Sequence, residues 1–243
     1  MSYVLIIGAK SDIAKATAKE YASNGYNLYL AARNARELES FASDIAIRFD
    51  VNTECLELDI LDYSSHRAFY DKLAEKPSGI ISAVGYLGNQ ELAQNNFQEA
   101  EKIINTNYTG IVSLLNIISA DFAKRGAGFI IGISSVAGDR GRKANYMYGS
   151  AKAAFTAYLS GLRNRLYVYK VHVLTVKPGF VFTSMTAGMK LPARLTACPG
   201  EVANAIFKAH KKGKNIVYTK WIWRYIMSAI RNIPEWQFKR MSI

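Results

Sequence analysis

Tyr148 and Lys152 stand four residues apart in Tyr-Gly-Ser-Ala-Lys, a spacing that puts a phenol and an ammonium on one face of a helix. A tyrosine hydroxyl, which titrates at about 10, becomes a better acid or base at neutral pH when a nearby cation favours its phenolate. Lys152 is placed to be that cation. Thirteen residues before Tyr148 comes Ser135, within Ile-Ser-Ser-Val-Ala-Gly at the end of an apolar run, where a hydroxyl can polarise a carbonyl. The three residue types together suit proton transfer to or from a carbonyl oxygen.

The elements that must position these groups alternate regularly. Tyr3–Ile7 is a continuous apolar run ending at Gly8, and 13–24 has helical spacing before Gly25 stops it. The pattern then predicts strands at 28–32, 55–58, 80–84, 129–133 and 171–176, and helices at 35–47, 64–74, 97–124 and 146–169. Strands apolar along their whole length are those buried on both faces of a parallel sheet. The expected fold is a doubly wound, Rossmann-like α/β sheet with helices on both faces. One catalytic domain is expected over 1–219, with 220–243 a basic, aromatic C-terminal helix of the same domain.

In such a sheet a ligand sits beyond the carboxyl ends of the strands, and the first turn holds phosphates on a helix N-terminus. That turn reads Gly8-Ala-Lys-Ser-Asp-Ile-Ala14. Gly8 supplies the tight turn, and Ala14 is small enough for the helix to pack close. Asp12 brings charge repulsion toward a pyrophosphate unless its side chain turns away to cap the helix. After the second strand, Ala32-Arg33 stands where an acid would accept from ribose hydroxyls. With Lys10, Arg33 can converge on a 2′-phosphate and select NADP(H), with NAD(H) the second choice; the plainer alternative leaves both cations solvated. Asp59 can meet an adenine edge or simply hold a turn.

Charge points elsewhere in the chain. The 243 residues carry 31 Lys and Arg against 19 Asp and Glu. From Lys208 to the end there are nine bases against Glu235, interleaved with Trp221, Trp223, Tyr225, Trp236 and Phe238. Tyr225, Ile226, Ala229, Ile230 and Ile233 share a predicted helical face. Aromatics beside Lys and Arg suit a bilayer interface, while a lid over the cleft or a subunit contact explains them as well. Nucleic acid is not expected, since no recognition motif accompanies the charge. Asp139, Arg140, Arg142 and Lys143 lie between Ser135 and Tyr148, where a cation could meet a substrate phosphate or be merely solvated. Cys55 and Cys198 read as free thiols, and His66, His172 and His210 share no ligand spacing, so no metal is expected. No export signal or membrane-spanning segment is expected, and a cytoplasmic location follows, with the tail at the inner face of the membrane if it binds lipid.

Taken together, Ser135, Tyr148 and Lys152 on this alternating scaffold resemble the short-chain dehydrogenase/reductase family over nearly the whole chain. The resemblance implies that these three are the catalytic serine, tyrosine and lysine, and that Asn107 in Asn-Tyr-Thr-Gly continues a proton relay through water. Pro178-Gly179 followed by Thr183 matches the segment that contacts nicotinamide and pyrophosphate. The implied cofactor contacts also include Gly8, Lys10, Ser11, Asp12, Ile13, Arg33, Asp59, Ile60, Ala83, Gly85 and Val181. Two departures stand out: Asp12 and Ala14 replace usual glycines, and Ser82-Ala-Val-Gly85 replaces Asn-Asn-Ala-Gly. A closer likeness, in 134–142, 161–165, 173–179 and the Trp221-Ile-Trp-Arg tail, is to the decaprenylphospho-β-D-erythro-pentofuranosid-2-ulose 2-reductase branch. It implies hydride reduction of a 2-keto pentose on a polyprenyl phosphate, a flavin-dependent oxidase partner that makes the ketone, and a homo-oligomer. Reduction of a 3-oxoacyl thioester or another small ketone is the enzymatic alternative, and a non-catalytic cofactor-binding protein the other.

Overall fold

The computed structural model describes residues 1–241. Its elements run β1 (Tyr3–Ile7), α1 (Asp12–Ala22), β2 (Asn27–Ala32), α2 (Glu39–Phe49), β3 (Thr53–Glu57), α3 (His66–Asp71), β4 (Gly79–Ser82), α4 (Gln90–Asn95), α5 (Phe97–Ile104), α6 (Gly110–Arg125) and β5 (Phe129–Ile133). They continue with α7 (Tyr146–Leu166), β6 (His172–Pro178), β7 (Phe180–Val181), β8 (Thr196–Ala197), α8 (Pro199–Lys211), β9 (Ile216–Thr219), α9 (Ile222–Asn232) and α10 (Glu235–Phe238). Seven strands form one parallel sheet in the order β3-β2-β1-β4-β5-β6-β9, and β7 pairs with β8 apart from it.

The unbroken apolar strands follow from two cores. Val4 and Ile6 of β1 face one core with Ala18 and Tyr21 of α1, Ile45 of α2 and Ile206 of α8. Leu5 and Ile7 face the other with Leu115 and Ile118 of α6 and Phe155 and Leu159 of α7. Successive side chains point to opposite faces, so a strand covered on both sides is apolar at every position. Strand order reverses between β1 and β4, and the crevice for a ligand opens beyond their carboxyl ends.

The structure corrects several boundaries. The helix predicted over 97–124 is α5, a π-helical turn Asn105–Thr109, and then α6. The backbone stays helical on both sides of this polar Asn-Thr-Asn-Tyr-Thr turn and no proline marks it, so the sequence reads as one helix. The helix predicted over 35–47 opens as a 3-10 turn, Ala35–Leu38, and runs on to Phe49, where Asp50 takes a left-handed conformation (φ 52°). The one predicted over 64–74 shrinks to α3, because Ser64 and Ser65 instead bond back to Asp62. Among the described residues no helix is long and apolar enough to cross a membrane.

Candidate active site

Three neighbouring elements bring the catalytic candidates together. Ser135 follows β5 in extended conformation, and its Oγ accepts from Ala137 N at 3.1 Å, which fixes the hydroxyl at the start of a short 3-10 turn. Tyr148 and Lys152 lie in the first turns of α7, and the Ser135 side chain is near enough to the Tyr148 hydroxyl to favour its ionised form. The Lys152 ammonium, 2% exposed, donates to the carbonyls of Val84 and Ile133 at 3.2 Å each. Ser134 holds the strand end to the helix: its Oγ donates to Lys152 O at 3.0 Å and lies 2.7 Å from Thr156 Oγ1.

Burial sets the protonation of both groups. It pushes Tyr148 up to about 12, only partly offset by the Ser135 side chain. It pulls Lys152 down to about 7. The expectation that Lys152 favours the Tyr148 phenolate is therefore corrected. The lysine Nζ sits 5.7 Å from the centre of the tyrosine ring, and desolvation outweighs its pull. Tyr148 holds its proton at neutral pH, the state required of an acid that donates to a forming alkoxide.

Asn107 is fully buried in the π-helical turn. Its Nδ2 donates to Tyr86 O (2.7 Å) and Ile103 O (2.8 Å), and its Oδ1 accepts from Tyr86 N (3.2 Å). These bonds fix the amide and tie the π-helical turn to the turn after β4. That turn matters because Gly85 lies between the partners: a Cβ there would be 3.6 Å from Asn107 Oδ1 and 3.7 Å from Lys152 Nζ.

The turn between β1 and α1 is tight and well fixed. Gly8 has φ +75°, and a Cβ there would press within 2.8 Å of Val84 N, so β1 turns flush against the end of β4 where Ala83 stands. Ser11 caps α1 by accepting from Ala14 N at 3.2 Å, beside half-buried Ile13. Asp12 turns its side chain aside not to cap the helix, a position Ser11 fills, but to accept from Ser184 N (2.8 Å) and Ser184 Oγ (3.0 Å). The segment after Val181 and Thr183 is thereby drawn over the helix N-terminus.

At the adenosine end, Lys10 is ion-paired with Glu37 at 2.6 Å. The acid in the following 3-10 turn thus holds Lys10. Arg33 is exposed. The turn that carries it is pinned by Glu57 at the end of β3, which accepts from Asn34 N and Ala35 N at 2.8 Å each. These two donors hold the Glu57 carboxyl below its usual range. Asp59 accepts from Leu61 N at 2.9 Å and so holds a turn, while Ile60 is buried beneath it.

The loop after Ser135 and the C-terminal segment are joined. Asp139 pairs with Lys177, just before Pro178-Gly179, and accepts from Tyr218 Oη at 2.8 Å. Arg140 donates to the carbonyls of Ile230 and Ile233 at 2.6 Å each and pairs with Glu235 at 2.8 Å. Trp223 covers Gly179 so closely that any Cβ there would collide with the indole, and its Nε1 donates to Leu195 O at 3.0 Å. The face of α9 turned to the protein is therefore Trp223 and Met227, with Ile226 and Ile230 partly buried beside them. This corrects the expected face: Tyr225 is 64% exposed, as are Trp221 at 74% and Trp236 at 63%. Neither Ser134, Ser184 and Glu37 nor Glu57 and Trp223 were singled out for these roles from the sequence, since each acts through a partner distant in the chain or across a turn.

Residues 2–192 match the short chain dehydrogenase family. The chain is similar to an uncharacterized oxidoreductase of Mycobacterium tuberculosis, 36% identical over 241 residues, 98% of this chain and 96% of that one. It is also similar to the NADP-dependent 3-hydroxy acid dehydrogenase of Schizosaccharomyces pombe, 29% identical over 188 residues, 75% of this chain and 73% of that one. Its fold is that of a short-chain dehydrogenase from Sphingobium yanoikuyae solved with NADPH, with a TM-score of 0.83 at 22% identity over 97% of each chain. The chain belongs to the short-chain dehydrogenase family. It is an oxidoreductase of the carbonyl–alcohol type, working with a nicotinamide cofactor.

Proposed function

We propose that this enzyme reduces a ketone to a secondary alcohol with NADPH, and that the ketone is the 2-keto group of a pentose carried on a polyprenyl phosphate. One observation carries the reductase reading: Tyr148, whose hydroxyl keeps its proton and interacts with Ser135, has the buried Lys152 ammonium 5.7 Å from its ring centre. NADPH supplies the hydride. Ser135 holds the carbonyl oxygen, Tyr148 gives it a proton, and Lys152 positions the ribose of the cofactor and supports the departing proton. Gly8, Ser11, Ile13, Ala83, Gly85, Pro178, Gly179, Val181 and Thr183 form the cradle. Exposed Arg33 is the first cation available to a 2′-phosphate, which agrees with the NADP-dependence in the name of the Schizosaccharomyces pombe relative.

The lipid-linked substrate is supported by the tail. Trp221, Tyr225 and Trp236 are exposed among Arg224, Arg231 and Lys239, on a segment whose other side packs on the Ser135 loop and on Gly179. A bilayer contact there sets the crevice beside a surface from which a polyprenyl chain need not leave. An oxidase that makes the ketone and a second copy of this chain are the partners proposed. NADPH oxidation with a polyprenyl-phosphate 2-keto pentose, measured beside small ketones and a 3-oxoacyl thioester, tests the substrate. Faster turnover of the water-soluble compounds would remove the lipid-linked reading and leave a general ketone reductase.

A further inference from the structure

The loop 140–145 joins the turn that follows Ser135 to the N-terminus of α7, which carries Tyr148 two residues inside. Its charged residues have separated fates. Asp139 is committed to Lys177 and Tyr218, and Arg140 to the end of α9 and Glu235. Arg142 is committed to nothing. Its Nε is buried without a hydrogen-bond partner, and it joins no ion pair among the described residues. Burial works against its charge, and Asp139, already neutralised by Lys177, is the one acid that favours it.

A second unpartnered donor lies at the start of α7. Gln90, at the start of α4, accepts from Met147 N at 2.9 Å through Oε1, which fixes the amide beside Tyr148. Its Nε2 is buried and unpartnered. Burying a donor without a partner is costly, so the Arg142 Nε and the Gln90 Nε2, on segments that meet the start of α7, mark donors that acceptors from outside the chain can complete, while the rest of the half-buried guanidinium stays open to a ligand. A guanidinium fork matches a phosphate or carboxylate in geometry as well as charge.

We propose that Arg142, assisted by Gln90, is a specificity-determining residue that binds an oxyanion substituent of the substrate while its ketone lies at Ser135 and Tyr148. This rests on the ketone-reductase reading, but an oxyanion can come from a lipid phosphate headgroup, a soluble phosphate ester or a carboxylate. The test uses the full chain saturated with NADP⁺, so that the cofactor's own phosphate sites are filled. Thermal unfolding is followed with methyl phosphate, farnesyl phosphate and acetate, for the unsubstituted protein, Arg142→Met, Arg142→Lys and Lys143→Ala. Unchanged NADP⁺ affinity certifies that each variant is folded.

Stabilisation by at least one anion is expected in the unsubstituted protein and in Lys143→Ala, reduced in Arg142→Lys and absent in Arg142→Met. A response to farnesyl phosphate alone assigns a lipid headgroup, to methyl phosphate a phosphate ester, and to acetate a carboxylate. In NADPH oxidation, Arg142→Met should raise KM for an oxyanion-bearing ketone by about 10- to 100-fold and leave its neutral analogue unchanged. No anion response, or the same response in Arg142→Met, overturns the proposal. Absence of ketone turnover in the unsubstituted protein would instead overturn the reductase reading, and the anion response at Arg142 would still be read independently.

Discussion

The two ends of the proposed cofactor crevice are built to different standards. At the catalytic end, Ser135, Lys152 and Asn107 are each held by backbone groups, and Ser134 ties the strand end to α7. At the adenosine end, Arg33 is exposed and Lys10 rests on an exposed surface acid, Glu37. Chemistry depends on geometry that does not relax during reaction, and so its groups are fixed before any ligand arrives. Cofactor choice depends on a difference in affinity, which one or two long, solvated side chains can supply. Changes at the first end should therefore act on turnover, and changes at the second on which cofactor is bound.

The largest expected effect tests the first half of that contrast. Tyr148→Phe removes the proton donor and keeps the ring, so turnover should fall by about 10²–10⁴ while NADPH affinity measured by fluorescence stays put. A variant with near-normal turnover would show that another group donates. Lys152 gives the next effect. Its ammonium is pulled down to about 7, so ketone reduction should decline as pH rises through that value, where the positive charge is lost. Stability of the cofactor-free chain should move the opposite way. The unfolded lysine keeps its proton to about 10.4 and the folded one does not, so the unfolded state binds more protons between the two values and stability rises with pH there. In Lys152→Met the rise should be absent from denaturation curves taken from pH 7 to 10.

Much of the rigid end was legible because its signals are local. Tyr148 and Lys152 share a helix face by spacing alone, and Ser135 ends a run that can only be a buried strand. The adjustable end was not, because its decisive contacts join residues on different elements. Nothing near Lys10 in the sequence announces Glu37, and nothing near Arg33 announces Glu57, which reaches the same turn from the neighbouring strand. Asp12 does turn aside, but Ser11 takes the cap, leaving the Asp12 carboxylate for Ser184 far along the chain. In the tail, the amphipathic rhythm was visible but its phase was not. Gly179 and Leu195 select Trp223 as the buried position, and periodicity contains no information about which side the body of the protein lies on.

Arg33 tests the second half of the contrast. Arg33→Ala removes one or two charge-assisted hydrogen bonds to a 2′-phosphate, so NADPH should weaken by about 10- to 100-fold and NADH should hardly change. Equal losses for both cofactors, by titration calorimetry, would show that Arg33 reads no phosphate and that the two ends do not divide the work in this way.

Glu37→Gln gives the smallest effect and the sharpest sign. In the cofactor-free chain Lys10 and Glu37 are paired at 2.6 Å, with Glu37 59% exposed, and such surface pairs contribute about 0–1 kcal/mol. A 2′-phosphate arriving at Arg33 competes with Glu37 for Lys10 and also meets the repulsion of the carboxylate itself. Neutralising Glu37 releases the lysine and removes the repulsion, so NADPH should bind a few-fold more tightly, with NADH unchanged and turnover with saturating NADPH unchanged. The gain should shrink at high salt, because both contributions are solvent-exposed and screened over about 10 Å at 0.1 M. Weaker NADPH binding in Glu37→Gln would mean that the acid orients Lys10 toward the phosphate instead of withholding it, and the adenosine end would then be as preorganised as the catalytic one.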